Sequence, residues 1–288
     1  MIEALHHVRF EGRMAMAAPN PHTRGRKGSV PTRISEPPGP FISWVFKQAD
    51  LDVKHYRGEP LRRRLSACLR ALHADTEEHA RQRLEQRPDL LPMVINALLI
   101  GVTEFFRDSL VFESLRTEVL PKLSRLQRPL RIWSAGCANG AELFSVAILL
   151  AEAGLLEGSY LLGSDCRMEA INQAKAALYS STALKNVGHS ELSRHFHRVD
   201  AIWWPGSALL SHVHWKVADL SRQIEEGPWD MILWRNMAIY LQTEAAATVW
   251  RGLTPVLAPE GFLVSGKAER PPAELSLTCV KRCIYQRI

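Results

Sequence analysis

Residues able to do chemistry fall in three places. "WSAGCANGAELFSVA" at 133–147 sets Gly136 and Gly140 between a hydrophobic run and an amphipathic one. Glycines in such a turn let the backbone approach a ligand closely. The spacing is not G-x-G-x-x-G, because Ser134 stands where the first glycine would, and no Lys-Ser/Thr follows. Neither a dinucleotide fingerprint nor a phosphate-gripping loop is favoured. Further on, Asp165 ends "SYLLGSD". Its two acceptor oxygens suit the hydroxyls of a ribose, and a helix N-cap is the plainer role. A glycine turn and an acid at successive strand ends suit NAD or S-adenosylmethionine. In "DMILWRNMAIYL" the apolar run Met231 to Trp234 delivers Arg235, Asn236 and Tyr240 to the same edge, where polar groups are placed for ligands. The Asn/Asp-Pro-Pro-aromatic motif of nucleic-acid N-methyltransferases is absent there, which counts against base methylation.

Positioning these residues requires strands that alternate with helices. "LRIWSAG" reads as a strand, "AELFSVAILLAEAG" as a helix ending at Gly154, "SYLLGSD" as a strand and "RMEAINQAKAALYS" as a helix. "HVHWKVADL" and "WDMILWRN" read as strands, "TEAAATVWRGLTPVL" as a helix, "GFLVSGK" as a fifth strand and "LTCVKRCIYQRI" as a single final strand. This alternation predicts a parallel sheet with helices on both faces. Residues 180–212, with "SELSRHF" and Trp203-Trp204-Pro205-Gly206, break the rhythm and read as an insertion.

From Phe41 to about Leu126 the pattern is helical. Leu61, Leu65, Leu69 and Leu72 share one helix face, and "DTEEHARQRL" opens with a helix-start signature. "TEFFRD" interrupts this part with two adjacent aromatics before a helix from about Ser109 to Leu123. Residues 1–40, rich in proline and glycine, read as a disordered extension. The domains are thus 1–40, a helical domain 41–126 and an α/β domain 127–288 carrying the insertion at 180–212.

The 288 residues are 46% hydrophobic, enough for a sizeable core. No apolar run approaches the roughly 18 residues of a membrane span, and no secretory leader is read. The five cysteines are scattered without a C-x-x-C pair, which argues against a zinc site or disulfide frame and for a reducing cytoplasm. Cys137 and Cys166 read as small packing residues. The formal charge of +6 concentrates in "RGRKG" at 24–28 and "LRRRL" at 61–65. Such patches serve as a solvated face or meet an acidic partner.

Taken in order, these motifs resemble the chemotaxis receptor methyltransferases (CheR type), and the resemblance spans roughly residues 41–288. "TEFFRD" is similar to the family's T-x-F-F-R segment, and "WSAGCANGAELFSVA" to its W-S-A-G-C-S-T-G-E-E-P-Y-S-I-A loop. "GSD" at 163–165 fits its second-strand acid, "WRNMAIYL" its C-R-N-V-x-I-Y-F strand end, and "PEGFLVSGKAE" its P-x-G-x-L-x-x-G-H-S-E segment. The resemblance implies a small helical domain followed by a Rossmann-like S-adenosylmethionine-dependent methyltransferase domain with a small inserted β-subdomain. It implies S-adenosylmethionine as cofactor, held by Thr103, Arg107, Gly136, Glu142, Asp165, Asp219, Leu220, Arg235 and Asn236. Arg107 and Tyr240 resemble the pair beside the methyl group. As plainer roles, Arg107 would form a salt bridge between domains and Tyr240 would be a core aromatic.

The family reading also implies a cytoplasmic monomer that esterifies glutamates on the cytoplasmic domains of methyl-accepting chemoreceptors, with no nucleic acid and no membrane insertion. The inserted subdomain docks a receptor tail in some members. Departures stand at Gly101, Ala141, Leu143, Phe144 and Lys267-Ala268. They leave the cofactor side largely intact and alter the substrate side. Methylation of another protein or of a small carboxylate, and a non-catalytic cofactor-binding scaffold, are the competing readings.

Overall fold

The computed structural model describes residues 37–99 and 103–288, which belong to one compact unit. Most of the expected extension over 1–40, and Gly101, lie outside the described residues.

Helices α1 (Pro40–Gln48), α2 (Gly58–Ala71), α3 (Glu77–Gln86) and α4 (Leu91–Leu98) form the first part. Thr76 caps α3 by accepting from His79 N at 3.1 Å, as its sequence suggests. Leu61 and Leu72 of the leucine stripe are buried, with Leu65 and Leu69 packed against the same core. Next come α5 (Ser109–Ser114), a π-helical turn at Leu115–Val119, and α6 (Leu120–Leu123). The sequence predicts one unbroken helix here. Pro121 explains the wide turn: its ring would crowd the carbonyl four residues back in a regular helix, and an i→i+5 step relieves that.

The sheet strands are β1 (Arg131–Ala135), β2 (Tyr160–Asp165), β6 (Val213–Val217), β7 (Trp229–Trp234), β8 (Leu257–Ser265), β9 (Leu277–Lys281) and β10 (Ile284–Arg287). Their spatial order is β6-β2-β1-β7-β8-β10-β9. The first five pair in parallel, and β10 runs antiparallel to β8 and β9. The C-terminal alternation is therefore a hairpin rather than the single strand expected. It reverses at Arg282-Cys283, with Cys283 at φ 67°. Helices α7 (Ala141–Glu152), α8 (Met168–Ala176) and α11 (Thr243–Leu253) connect the parallel strands.

Alternation along the strands builds two cores. Ile132, Met231, Leu233 and Val264 face α5, α6 and α7. Trp133, Ile232, Trp234 and Leu263 face α1–α4 and α11. The insertion supplies β3 (Tyr179–Ser180), α9 (His189–His195), β4 (Phe196–Val199), β5 (Ile202–Pro205) and α10 (Ser207–Leu210). Its strands make a separate antiparallel sheet in the order β3-β5-β4. The strand order of the large sheet reverses direction between β1 and β7. In an open α/β sheet, that switch point at the carboxyl edge is where ligands bind.

Candidate active site

β1 ends in a turn clamped to its neighbour. The backbone N–H groups of Gly136 and Cys137 both donate to Ser164 O, at 2.7 and 2.9 Å. Gly136 has φ +83°, and a Cβ there would fall 2.9 Å from Met237 Cγ. At Gly140, φ +86°, a Cβ would come within 2.5 Å of the Trp215 ring. Both positions therefore need glycine, one for the cavity rim and one for packing beneath the loop.

Two cavities open at this edge. One, about 420 Å³, is mostly apolar. Leu220, Trp234, Leu241 and Val249 line it, with Tyr56, Asp165, Cys166 and Asp219. The other, about 400 Å³, is polar and is lined by Thr103, Arg107, Glu142, Arg167, Arg235 and Asn236 among others. Gly136 and Met237 line both. The residues singled out in the sequence thus divide between two adjoining spaces. Tyr240 lines neither; it sits in the single turn Ala238–Tyr240, where its carbonyl accepts from Arg57 N at 2.8 Å.

A charge network centred on the buried Arg235 shapes the polar cavity. Arg235 donates to Glu142 Oε2 at 2.9 Å, to Asp108 Oδ2 at 3.0 Å and to the carbonyl of Arg107 at 2.8 Å. Its guanidinium lies over Phe112. Ser134 Oγ donates to the other oxygen of Glu142 at 2.8 Å, and Lys267 Nζ reaches Asp108 Oδ1 at 2.6 Å. Two anions and two cations balance here.

The aromatic pair ahead of Arg107 fixes its backbone. Phe105 packs edge-on against Tyr179 and Phe196 of the insertion, at 4.8 and 5.3 Å between centroids. Phe106, at φ 50°, donates its N–H to Ser145 Oγ of α7. The inserted sheet thus receives the Phe105 ring, α5 the Phe106 ring through Phe112 at 5.3 Å, and α7 the Phe106 N–H.

Asp165 is buried, and its carboxylate is fully engaged. Oδ1 accepts from Arg167 N and Nε at 3.0 and 2.9 Å; Oδ2 accepts from Ala138 N and Arg167 Nη2 at 3.0 and 3.1 Å. Asp219 closes its own turn by accepting from Ser221 N at 2.9 Å. Burial, with the Asp165 charge beside it, pushes the Cys166 thiol up to about 12, and burial likewise raises Cys137. Both stay protonated at neutral pH, in keeping with packing roles rather than nucleophilic ones.

Sequence reasoning passed over Arg167 and Glu269. Glu269 is buried, and Oε2 accepts from Asn236 N and Gly266 N, each at 2.8 Å. It thereby fixes Asn236, which sits at φ 59°. Its signal was present as the last residue of "PEGFLVSGKAE". For Arg167 the signal was the Asp-x-Arg spacing, which lets a side chain fold back on the acid two residues before it.

A family profile described as "CheR methyltransferase, SAM binding domain" matches residues 101–282. The "Putative methyltransferase Cher3" of Pseudomonas putida is 26% identical over 237 residues, 80% of this chain and 86% of that protein. The "Chemotaxis protein methyltransferase" of Salmonella typhimurium is 28% identical over 235 residues, 78% of this chain and 80% of its own. "Chemotaxis protein methyltransferase 1" of Pseudomonas aeruginosa is 30% identical over 200 residues, 65% of this chain and 73% of its own.

Proposed function

The chain belongs to the CheR methyltransferase family and is an S-adenosylmethionine-dependent methyltransferase; from that premise we propose that it methylates glutamate side chains of chemoreceptors. What supports this reading is the similarity to chemotaxis protein methyltransferases, together with a pair of adjoining cavities, one apolar and one charged, that both reach Gly136 on the switch-point edge and give the cofactor a place.

The residues fit the cofactor. The apolar cavity suits an adenine, with Asp219 and Leu220 at its wall and Asp165 toward the ribose. The polar cavity offers Glu142, held by Arg235, to an amino group and Arg107 and Thr103 to a carboxylate. A Cβ at Gly136 would collide with Met237, and these two residues line both cavities, so the glycine leaves their common wall undisturbed. When bound, S-adenosylmethionine supplies an activated methyl group on a good leaving group.

The protein's own task is then positioning. A glutamate side chain has an ordinary pKa near 4.3 and is already anionic at neutral pH, so no general base is required. Holding the two partners in line and excluding water can be worth on the order of 7 kcal/mol. Strong fixed charge on the attacking carboxylate would hold it back in the ground state. Arg235 and Lys267 are balanced by Glu142 and Asp108; Arg107 lines the same cavity, and we assign it to orienting the substrate. We assign Tyr240, on the turn that follows Asn236, to the substrate side of the same edge. We assign the basic run Arg62-Arg63-Arg64 of α2, in which Arg63 is exposed beside Glu59 at 3.3 Å, to meeting acidic receptor helices. Among the described residues no helix is long and apolar enough to cross a membrane.

The test is transfer of labelled methyl to receptor cytoplasmic fragments, followed by alkaline hydrolysis. Carboxyl methyl esters are released by base, whereas N-methyl groups are retained. Base-labile product on the fragments supports the reading. Base-stable product, or labelling only of small carboxylates, refutes it.

A further inference from the structure

Asp165 has no acceptor position left for a ribose. An ionised carboxylate offers about four lone-pair sites, and four donors already occupy them. Two are backbone N–H groups, Ala138 and Arg167, fixed by the turns that carry them. The other two belong to the Arg167 guanidinium, which grips both oxygens. Arg167 is itself 6% exposed and is held from its far side. Its Nη1 donates to Asn96 Oδ1 at 2.9 Å and to Leu99 O at 2.8 Å, at the end of α4. The guanidinium therefore ties the cofactor-edge acid to the helical part while lining the polar cavity.

We propose that Arg167 is a positioning residue that sets cofactor affinity by competing with the ribose hydroxyls for Asp165. The inference rests on the reading of Asp165 as the ribose acceptor. For two hydroxyls to reach that carboxylate, the backbone donors stay and the two guanidinium bonds yield. Each bond given up is charge-assisted and shielded from water, so its loss subtracts directly from cofactor affinity. The same bonds hold the sheet edge to α4, so Arg167 stabilises the fold while weakening the complex. A side chain with a purely structural role would strengthen or weaken both together.

The experiment uses the full chain, with S-adenosylhomocysteine as the probe in calorimetry and thermal melting of each variant alone. Arg167→Met should melt at lower temperature yet bind about tenfold more tightly, the factor that about 1.4 kcal/mol gives. Arg167→Lys keeps the charge but loses the two-point grip, and should fall between the wild type and Arg167→Met in both measurements. If Arg167→Met does not fold, Arg167→Lys decides by the same opposite movement. Affinity that is unchanged, or that falls along with stability, overturns the proposal. Asp165→Asn tests the premise separately: it should weaken binding at least tenfold. If Asp165→Asn binds as wild type does, the ribose reading fails, and the competition with it. If Asp165→Asn weakens binding but the Arg167 variants do not tighten it, the competition alone fails.

Discussion

Replacing Arg235 by lysine keeps the charge and removes the fork, and the structure sets the size of the effect. The guanidinium spans Glu142, Asp108 and the carbonyl of Arg107 with three hydrogen bonds of 2.8 to 3.0 Å. A single ammonium cannot reach both carboxylates along the same lines. Asp108 would keep Lys267, and Glu142 would keep Ser134, so neither anion is abandoned. The loss is then one charge-assisted bond, about 1.5–3 kcal/mol, with the Arg107 carbonyl left short of a donor at about 1 kcal/mol. The buried Arg235 Nε has no partner, and its removal offsets part of this. A net cost of about 2 kcal/mol is expected. Arg235→Met deletes the shared cation and should cost about 3–5 kcal/mol, as for other buried ion pairs broken on one side. Urea unfolding should order the proteins wild type, Arg235→Lys, Arg235→Met, and calorimetry should show cofactor affinity falling in the same order. If Arg235→Lys lies within about 0.5 kcal/mol of wild type, the range of an ordinary surface change, the network does not organise this site.

Three further outcomes are expected. Gly136→Ala should cost about 1–2 kcal/mol, because an L residue is strained at φ +83°. It should also weaken S-adenosylhomocysteine binding by crowding Met237 into the cavity; calorimetry unchanged from wild type would remove Gly136 from the cofactor path. Arg107→Ala should lower methyl-transfer turnover more than cofactor affinity, and Tyr240→Phe should lower turnover alone, the pattern of interactions made mainly in the transition state. Equal activity in all three proteins would take both residues out of the reaction. For pH, burial first and the Asp165 charge second raise the folded Cys166 thiol from 9.0 to about 12. The stability this confers is complete below the unfolded value and is lost as pH climbs from about 9 toward 12. Cys166→Ala should therefore lose less stability than wild type between about pH 8 and 10, and identical urea midpoints for the two proteins across that window would contradict it.

The fold was legible wherever a short apolar run was bounded by turn residues. Trp229–Trp234 and Tyr160–Asp165 are buried strands and read as such. The C-terminal hairpin was not legible because its reversal uses Arg282-Cys283, with no Asn-Gly or Asp-Gly to mark it. The π-helical turn was hidden for a different reason. Proline in the second position of α6 looks like an ordinary helix start, and only the continuous apolar face on either side forces the chain through it. Local propensity says where an element could end; tertiary packing decides that it does not.

Candidate-site residues were legible in place, to the degree that backbone position alone determines it. Gly136, Asp165, Asn236 and Arg235 stand at strand ends, and topology carries all of them to one edge. What topology does not carry is the competition among side chains once they arrive there. Arg235 is as polar as any ligand-binding group, yet its donors turn inward to Glu142 and Asp108. Asp165 stands at the end of β2, where we propose a ribose acceptor, yet Arg167 holds both its oxygens. Glu269 touches neither cavity, but by gathering the N–H groups of Asn236 and Gly266 it sets the backbone on which Asn236 enters one. Spacing places a functional group. Whether that group is free to act depends on a hydrogen-bond count that closes only in three dimensions, and at this edge the count turns on one arginine two residues beyond the acid.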